Sequence, residues 1–484
     1  MSSGKSKKSN KNKGKRRQPA GAGAGRPAGG QQSARGQQPA RDSQGAAGPR
    51  CPVARECGAC PHVNEPYDRQ LARKDARMAE LFSQVASADA PAAQPAGGPQ
   101  VEAARGSAAA PQVLRPIIGM EDPYHYRNKV STPFAPGRKL PAGAPGATGA
   151  GGHGAAAKRG GSSSRAQAPR REILCGMYAP GTHHIVRTDD CLVENVEAKR
   201  IVLAVRDLMP RFGIEPYDED AGTGLLRHVV VRVGHESGEI LVTLVTNGED
   251  FPAPKAFCRE LVRRCPGITT VVQNINERQT NVILGEGERR LYGPGFILDR
   301  LCGLSFRISS QSFYQVNATQ TEVLYEQAVG LAGLSGSERV VDAYCGTGTI
   351  GLVAAKAGAG EVVGVDTVES AIRDARQNAA HNGVENARFV VGDAGEFMEG
   401  LAAEGERVDV LLMDPPRAGA SRAFLDAAAR LAPARVVYIS CNPETQLRDL
   451  RVLLEAGYAL RAVQPVDMFP HTDHIESVAL LVRG

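Results

Sequence analysis

Short apolar runs alternate with amphipathic segments from Arg339 to the end of the chain. This alternation is typical of βαβ units, in which each helix returns the chain to a neighbouring parallel strand. Because such crossovers are right-handed and place the strands in one sheet, we expect ligands at the carboxyl ends of the strands. The pattern predicts strands at 339–343, 361–366, 387–393, 408–414, 435–440 and 478–482, and helices after Thr349, over 368–381, between 414 and 435, and after Ser440.

The middle of the chain has a different pattern. Short runs rich in β-branched residues occur there with few long helical patterns between them. Such runs are typical of strands. They predict a mixed, β-rich central domain with strands at 228–233, 239–246, 269–272 and 281–284.

Three segments lack periodicity and are rich in Gly, Ala, Pro, Ser or basic residues, which predicts disorder. They are a tail at 1–50, a linker at 83–111 and an insert near 136–170. The tail has twelve Lys or Arg residues and one acid, Asp42, so it concentrates the positive net charge of +6. Such a tail attracts phosphates without reading sequence, although a solvated leader has the same composition.

These patterns divide the chain into five parts: the tail at 1–50, a cysteine-bearing segment at 51–82, the linker at 83–111, a central α+β domain at 112–330 and an α/β domain at 331–484. No run of about 18 apolar residues is present, and the basic amino terminus lacks the apolar segment of a signal peptide. We therefore expect a cytoplasmic protein that does not enter a membrane.

The first strand of the α/β domain leads into the loop Asp342–Thr349, whose two glycines permit a tight turn and a close backbone approach to a ligand. Asp366 ends the second strand, where a carboxylate can accept hydrogen bonds from both hydroxyls of an adenosine ribose. Asp393 ends the third strand, where its carboxylate would lie level with the edge of an adenine ring. These positions favour S-adenosylmethionine as the cofactor.

Two other interpretations of this loop remain open. Gly346, Gly348 and Gly351 share their spacing with a dinucleotide-binding loop. The acids at the strand ends favour S-adenosylmethionine over a dinucleotide. Alternatively, Asp342 and Asp366 only cap helices.

Cys441 follows the apolar run Val436–Ile439, at the carboxyl end of a predicted strand. A cysteine in such a place is ordinarily a small buried hydrophobe. Asn442 and Pro443 favour a different role, because the proline starts a helix whose amino-terminal dipole stabilises a thiolate. A thiolate that adds to carbon 6 of uracil turns carbon 5 into a nucleophile towards a methyl sulfonium.

This chemistry also needs a base that removes the proton from carbon 5, so that the thiolate can leave. Glu476, in the polar run Phe469–Ser477, is the candidate. The same run contains His471 and His474, so a His-x-x-His metal site or a polar turn is the alternative.

The run Asp414–Arg417 follows the fourth strand, and Pro415 and Pro416 would form a stiff wall beside the target base. Enzymes that methylate exocyclic amino groups have an aromatic residue at the end of the comparable run. Arg417 stands there in this chain, which weakens the interpretation as an amino-methyltransferase.

Cys51, Cys57 and Cys60 form a compact trio, and thiolates grouped in this way suit an iron–sulfur cluster or another soft metal. A fourth ligand has to come from elsewhere, and Cys175 and Cys191 are both available. Zinc is the alternative metal, which spacing cannot distinguish from iron.

Several motifs together closely resemble those of bacterial RNA uracil-5-methyltransferases, over about residues 51–82 and 112–484. The chain is most similar to the branch of this family that acts on 23S ribosomal RNA, because it also has the cysteine motif of an iron–sulfur cluster. The motifs are Gln315–Asn317, Asp342–Gly348, Asp414–Gly419, Ser440–Pro443 and Asp467–Glu476.

The resemblance implies a Rossmann-like class I methyltransferase domain, a 23S ribosomal RNA substrate and a monomer. It implies that Cys441 is the nucleophile and Glu476 the base. It also places the fourth cluster ligand after the segment Tyr178–Val186, which points to Cys191 and a four-iron, four-sulfur cluster on Cys51, Cys57, Cys60 and Cys191. The implied cofactor-binding residues are Gln315, Tyr344, Thr349, Asp366, Asp393 and Asp414.

Two further segments fit the family. Tyr126–Lys129 resembles its basic loop near the RNA, and Phe313 stands where an aromatic residue packs beside the target base. The ordinary alternatives are a solvated loop and a core phenylalanine.

Many relatives have a small β-barrel ahead of the cluster, whereas residues 1–50 show no strand periodicity. We hypothesise that the basic tail replaces some phosphate contacts of that barrel, helped by basic residues of the insert. These are Arg159, Arg165, Arg170 and Arg171. Two alternative functions are methylation of transfer RNA and a non-catalytic role in ribosome assembly.

Overall fold

The computed structural model describes residues 48–86, 113–140 and 171–484 of the chain. Residues 1–47 of the predicted tail, most of the linker and residues 141–170 of the insert, with Arg159, Arg165 and Arg170, lie outside the described residues. The helices are α1 (Ala54–Cys57), α2 (Tyr67–Ala86), α3 (Val196–Phe212), α4 (Pro254–Arg264), α5 (Ala318–Ala332), α6 (Thr349–Lys356), α7 (Glu369–His381), α8 (Ala394–Glu404), α9 (Arg422–Leu431) and α10 (Pro443–Glu455).

The described residues also form two seven-stranded sheets and a two-stranded one, β8-β9. The strands are β1 (Lys129–Lys139), β2 (Arg171–Tyr178), β3 (Ile185–Arg187), β4 (Leu226–Val233), β5 (Ile240–Thr246), β6 (Ile268–Ile275), β7 (Gly287–Tyr292), β8 (Ile297–Leu301), β9 (Leu304–Ile308), β10 (Arg339–Ala343), β11 (Glu361–Asp366), β12 (Ala387–Val391), β13 (Val410–Met413), β14 (Arg435–Ser440), β15 (Tyr458–Val466) and β16 (Glu476–Arg483).

The carboxyl-terminal part of the chain forms one of the large sheets, in the order β12-β11-β10-β13-β14-β16-β15. The five strands from β12 to β14 pair in parallel. This pairing confirms the predicted Rossmann-like α/β domain with a mainly parallel sheet. β16 runs antiparallel to both β14 and β15, so the sheet ends in an antiparallel edge.

The sequence pattern does not predict β15 or α8. Arg461, Gln464 and Pro465 interrupt the apolar run of β15, and glycine residues weaken the helical pattern of α8. β12 also ends at Val391, because Asp393 is the amino-terminal cap of α8 and accepts hydrogen bonds from the first turn.

The central part of the chain forms the other large sheet, in the order β3-β2-β1-β4-β5-β6-β7. Its strands pair antiparallel except for β5 and β6. One face of this sheet packs against α3 and α4 in a core of aliphatic and aromatic side chains. The predicted mixed, β-rich central region is therefore present.

The strand predicted at 281–284 is wrong. The side chain of Asn276 donates hydrogen bonds to the carbonyl oxygens of Val282 and Ile283, at 2.7 and 3.0 Å, and holds the segment as a loop. A polar side chain that occupies these carbonyls competes with strand pairing. The chain forms its strand slightly later, at Gly287–Tyr292.

Two predicted disordered segments begin later than expected. Residues 136–139 belong to β1, where Pro136 pairs with Ile173 and Lys139 with Arg171. Residues 83–86 form the last turn of α2, because its buried stripe continues to Phe82.

Helices cover both faces of the carboxyl-terminal sheet. The strand pair β8-β9 and helices α5, α6 and α7 share one core, whereas α2, α8, α9 and α10 share the core on the other face. None of the helices in the described ranges is both long and apolar enough to cross a membrane.

Candidate active site and cysteine-lined cavity

A cavity of about 1600 Å³, here called the cleft, lies at the carboxyl ends of β10, β11, β13 and β14. It brings together six of the eight predicted catalytic and cofactor residues, whereas Thr349 and Asp393 do not line it. The six residues are Gln315, Tyr344, Asp366, Asp414, Cys441 and Glu476.

The loop after β10 has the tight geometry that its glycines predict. Gly346 and Gly348 have positive φ angles of 53° and 78°, and Tyr344 adopts the same left-handed region at 64°. A non-glycine residue in this region is strained, and such strain is concentrated at functional sites. The loop thereby turns its backbone towards the cleft before α6 begins.

Both acids of the cofactor loop contact backbone. Asp342 accepts a hydrogen bond from the amide of Gly351 at 2.9 Å, and burial raises its pKa to about 8. Asp366 accepts hydrogen bonds from the amides of Gly346 at 3.0 Å and Val368 at 2.9 Å. The capping interpretation thus describes Asp342 well, whereas Asp366 also lines the cleft, where its carboxylate can accept further hydrogen bonds.

The two predicted residues outside the cleft have other partners. The hydroxyl of Thr349 lies 3.0 Å from that of Tyr325, which is buried in the core. The carboxylate of Asp393 caps α8. Gln315 lines the cleft, and its carbonyl oxygen accepts a hydrogen bond from the side chain of Asn128 at 3.2 Å.

The sheet register brings the candidate nucleophile and base together. Ser440 pairs with Ser477 across β14 and β16, so the next antiparallel position places Cys441 beside Glu476. Asn442 caps α10, which begins at Pro443 as predicted. Both Cys441 and Glu476 line the cleft.

The electrostatics of this pair are set by burial and like charge. Burial and the nearby carboxylates of Glu476 and Asp414 raise the pKa of Cys441 to about 11. Burial and Asp414 raise the pKa of Glu476 well above its ordinary value. The dipole of α10 is therefore outweighed in the free protein, and the thiol is protonated at neutral pH.

The wall after β13 lies where the sequence predicts it. Asp414, Pro415, Pro416 and Arg417 line the cleft, and burial raises the pKa of Asp414 to about 7. Phe313 lines the same cleft and is 71% exposed, so it is not a core residue.

The His-x-x-His interpretation does not fit the structure. His471 is buried with its Nε2 at 2.9 Å from the carbonyl oxygen of Pro123 and its Nδ1 at 3.2 Å from the side chain of Gln70. Both ring nitrogens therefore have protein partners. His474 lines the cleft instead, with its ring 5.9 Å from that of Phe469.

A second cavity, of about 950 Å³ and here called the cysteine cavity, is lined by Cys51, Cys57, Cys60 and Cys191. Cys175 instead lies in the core under α3. Burial raises the pKa of Cys60 to about 12, with repulsion from Cys191 and Cys57 as further causes. As the side chains stand, no three His, Cys, Asp or Glu residues in the described ranges form a group that could hold a metal ion.

Sequence reasoning missed the contact of α2 with the loop before β16. The ammonium group of Lys74 lies 2.7 Å from the carboxylate of Asp467, and both side chains are almost fully buried. Tyr67 donates a hydrogen bond to the same carboxylate at 2.8 Å. The available signal was that Lys74 occupies the same helical stripe as the buried residues Gln70 and Met78.

The parallel sheet, the glycine loop at its carboxyl edge and the acids beside it define an S-adenosylmethionine-dependent methyltransferase. A family model described as a methyltransferase domain matches residues 334–469. An uncharacterized RNA methyltransferase of Halalkalibacterium halodurans is 39% identical over 431 residues, which cover 89% of this chain and 82% of the relative. One of Listeria monocytogenes is 38% identical, over 90% of this chain and 83% of the relative.

Among solved structures, the Pyrococcus abyssi tRNA (uracil-54, C5)-methyltransferase in complex with S-adenosyl-L-homocysteine matches with a TM-score of 0.64 and 25% identity. The match covers 87% of this chain and 85% of that one. The chain therefore belongs to the bacterial RNA uracil-5-methyltransferase family that its motifs resemble.

Proposed function

We propose that this RNA methyltransferase transfers a methyl group to carbon 5 of a uridine in 23S ribosomal RNA through a covalent Cys441 adduct. The observation that carries the proposal is the register of β14 and β16, which sets Cys441 and Glu476 side by side in the cleft. A thiol and a carboxyl group with strongly perturbed pKa values, in one cleft with a cofactor loop, favour catalysis over packing.

In the proposed mechanism, the thiolate of Cys441 adds to carbon 6 of the uracil ring, and the resulting enolate makes carbon 5 nucleophilic. S-adenosylmethionine supplies the methyl group as a sulfonium. Glu476 then removes the proton from carbon 5, the carbon 5–carbon 6 double bond re-forms, and the thiolate leaves. Burial raises the pKa of Glu476, so its carboxylate would be a strong base for this step once the positive charge of the bound cofactor favoured the ionised form.

The cofactor lies, in this proposal, between the loop after β10 and the strand ends beside it. Gln315, Tyr344, Asp366 and Asp414 are placed to contact it directly, because they line the cleft. Thr349 and Asp393 would act on cofactor binding indirectly. Thr349 is the first residue of α6, and Asp393 is the cap of α8. The cation of the cofactor would lower the pKa of the nearby Cys441 thiol.

We further propose that Cys51, Cys57, Cys60 and Cys191 hold a four-iron, four-sulfur cluster. Their common cavity and their mutual repulsion as thiolates support a cationic core among them. The side chains would have to converge when the cluster is assembled, since they form no metal-holding group as they stand. Methyl transfer moves no electron, so the cluster's task would be to stabilise the segment before α2.

Broad absorbance near 400 nm in an anaerobic preparation, lost in Cys51→Ser, is expected for iron. A colourless protein with one bound zinc ion would instead establish the zinc alternative.

The covalent step is tested with ribosomal RNA that contains 5-fluorouridine, together with S-adenosylmethionine. Fluorine cannot leave as a proton, so the adduct persists and is visible as a band of reduced mobility in a denaturing gel. We expect this band with the parent protein and not with Cys441→Ala. Cys302→Ala is the matched control, because Cys302 lies outside the cleft and should leave the band unchanged.

The substrate class is tested by direct competition between ribosomal and transfer RNA. The match to a tRNA methyltransferase of Pyrococcus abyssi makes transfer RNA the second candidate. We expect methyl transfer to 23S ribosomal RNA at a rate well above that to transfer RNA. The reverse preference would establish the second candidate, and binding without methyl transfer to either would favour an assembly factor.

A further inference from the structure

The cysteine cavity has a second wall, which is formed by one face of the central sheet. Lys129, Ser131 and Pro133 lie on this face of β1, because successive side chains of a strand point to opposite sides. His228 lies opposite Pro133 on β4 and lines the same cavity. Phe134, on the other face of β1, packs into the core under α3.

Five side chains that line this cavity have a buried polar atom without a hydrogen-bond partner in the described part of the chain. The atoms are Nε of Arg127, Oγ of Ser131, Nε of Arg227, Nδ1 of His228 and Oε2 of Glu194, the last of which forms an ion pair with Lys199. His228 is only 8% exposed, and burial and the charge of Arg227 lower its pKa to about 4, so its ring is neutral. Buried polar atoms are normally paired, so this set indicates a polar ligand.

The same wall offers apolar and aromatic surface. The ring of Tyr178 lies edge-on to His228, with the centroids 6.4 Å apart, and 6.2 Å from the ring of His183. Val282 and Ile283, which line the cavity from the loop before β7, are 54% and 37% exposed. A flat ligand can therefore be sandwiched between an aromatic ring and aliphatic side chains.

Positive charge without a matching carboxylate lies beside this surface. Lys129 pairs directly with Arg232 across β1 and β4, and burial with the charges of Arg232 and Arg127 lowers its pKa to about 8. Among the described residues, Arg127 and Lys129 form no salt bridge, whereas the carboxylates of Glu194 and Glu219 in the same cavity pair with Lys199 and Arg227. Like charges opposite each other are destabilising unless an anion lies near them.

The cysteine cavity and the cleft are neighbours. Both are lined by Cys60, Arg127 and Val316. A single strand that places one base in the cleft can therefore continue into the cysteine cavity past Arg127. A nucleotide has a flat base, a polar base edge and a phosphate. These groups match the aromatic and aliphatic surface, the unpaired polar atoms and the positive charge of this wall.

We propose that the sheet wall of the cysteine cavity binds a second nucleotide of the RNA substrate, beside the cluster that the four cysteines are proposed to hold, with the base against Tyr178 and the phosphate on Arg127 and Lys129. The edge of the base meets Nδ1 of His228 and Oγ of Ser131, and Val282 and Ile283 cover its other face. The proposal deepens the proposed function, on which it rests for the target uridine in the cleft. It also gives a role to the segment around Tyr178 that the methyl transfer leaves unused.

Photo-crosslinking tests where the RNA lies. Ribosomal RNA that contains 4-thiouridine is bound to the parent protein, irradiated and digested, and the crosslinked peptides are identified by mass spectrometry. We expect crosslinks to peptides that contain Tyr178 or residues 280–283, in addition to those of the cleft. Crosslinks confined to the cleft would overturn the proposal.

Affinity for the same RNA, measured by fluorescence anisotropy, tests the contacts. Tyr178→Leu removes one contact between a base and an aromatic ring and is expected to weaken RNA binding about tenfold. Ile283→Asp should weaken it as well, because a carboxylate replaces the apolar surface that covers the base. Tyr292→Leu is the matched control, since Tyr292 is 41% exposed and lies outside both cavities. Parent-like binding by both variants would contradict the proposal.

The fluorouridine adduct separates this result from a failure of the proposed function. The control Tyr292→Leu should form the adduct with the yield of the parent, because Tyr292 lies outside both cavities. A parent protein that forms no adduct but loses affinity in Tyr178→Leu would refute the covalent mechanism and keep the second nucleotide site. If the parent forms the adduct and both variants bind RNA as the parent does, the covalent mechanism is kept and the second nucleotide site is refuted.

Discussion

Glu476 has one task in the proposed mechanism, the removal of the proton from carbon 5 after methyl transfer. Glu476→Gln keeps the shape of the side chain but cannot accept that proton. We therefore predict that Glu476→Gln forms the covalent adduct on ordinary ribosomal RNA and then accumulates it, while multiple turnover falls by at least about 100-fold. The adduct is measured on denaturing gels with radiolabelled cofactor.

The matched control for this prediction is Glu444→Gln. Glu444 lies in the first turn of α10 with an exposed side chain and does not line the cleft. It should show parent-like turnover and no trapped adduct. If Glu476→Gln turned over normally without an adduct, another group would have to be the base.

The pKa of Cys441 makes its reactivity depend on pH. Because the value of about 11 lies well above neutrality, the thiolate fraction in the cofactor-free protein should rise about tenfold per pH unit between pH 7 and 10. Asp414→Asn removes a negative charge that opposes the thiolate, so it should lower this pKa. The variant is expected to react faster with iodoacetamide at Cys441 above about pH 7, where Asp414 is ionised in the parent.

Peptide mapping of the alkylated protein distinguishes Cys441 from the other thiols. Cys302 provides the internal control, because burial and the charge of Glu322 raise its pKa to about 12 without a contribution from Asp414. Its rate should not change in Asp414→Asn. An unchanged rate at Cys441 would show that the two groups do not interact.

Individual site residues differ in how far the sequence could predict them. The place of Cys441 and Glu476 at the cleft could be predicted, because the strand that precedes Cys441 and the chemistry of uracil both restrict the choice, whereas their catalytic roles stay predictions. Asp467 was not predictable, because its role depends on Lys74, which is almost 400 positions away in the sequence. Local patterns contain no information about such a pair, and only the fold brings it together.

At the scale of elements, α2 is held to the carboxyl-terminal sheet by the buried Lys74–Asp467 pair. Removing one partner leaves the other charge buried without compensation. We predict that Lys74→Met lowers the free energy of unfolding by about 3–5 kcal/mol, as measured by urea denaturation. Burial lowers the pKa of Lys74, and the carboxylate of Asp467 opposes this effect, so the charged form of Lys74 depends mainly on Asp467.

Two variants control for this effect. Lys255→Met removes an exposed lysine from α4 and should change the free energy of unfolding by less than about 0.5 kcal/mol. The double variant Lys74→Met, Asp467→Leu should recover much of the loss, because apolar groups then replace both charges. A single variant as stable as the parent would mean that the pair is open to water.

The elements also show why sequence patterns succeed or fail. The parallel strands β10, β11, β13 and β14 are apolar runs that are buried almost throughout, so their pattern is plain. β15 lies at the sheet edge, where Gln464 donates hydrogen bonds to carbonyl oxygens and where Arg461 is tolerated, so its pattern is broken. The Asp393–Glu396 capping signature of α8 was available in the sequence, whereas the hydrogen bonds of Asn276 to the loop at 281–284 were not.

At the scale of the whole molecule, the proposals divide the binding of RNA between the two large sheets. The carboxyl-terminal sheet supplies the cofactor loop and the reacting pair, whereas the central sheet supplies one wall of the cysteine cavity. The segment before α2 borders both cavities, because Cys60 lines the cleft as well as the cysteine cavity.

Under our hypothesis, the basic tail contributes to RNA binding through its charge and not through a packed surface. Residues 1–45 contain eleven Lys or Arg residues and one acid. If the tail contacts RNA phosphates, their counterions are released on binding, and the slope of log affinity against log salt becomes steeper by about 0.7 for each contact on a single strand. We predict that deletion of residues 1–45 weakens RNA binding at 50 mM salt and makes this slope shallower, while the rate at saturating RNA is kept.

The matched control replaces the eleven basic residues with Gln and so keeps the length of the tail. It should bind as weakly as the deletion, because charge and not chain length causes the effect. Affinity is measured by fluorescence anisotropy from 50 to 300 mM salt, with the fluorouridine adduct as the measure of an intact cleft. An unchanged affinity and salt slope in both variants would show that the tail does not contact RNA. Binding restored by the Gln tail would show that the tail acts through its length alone.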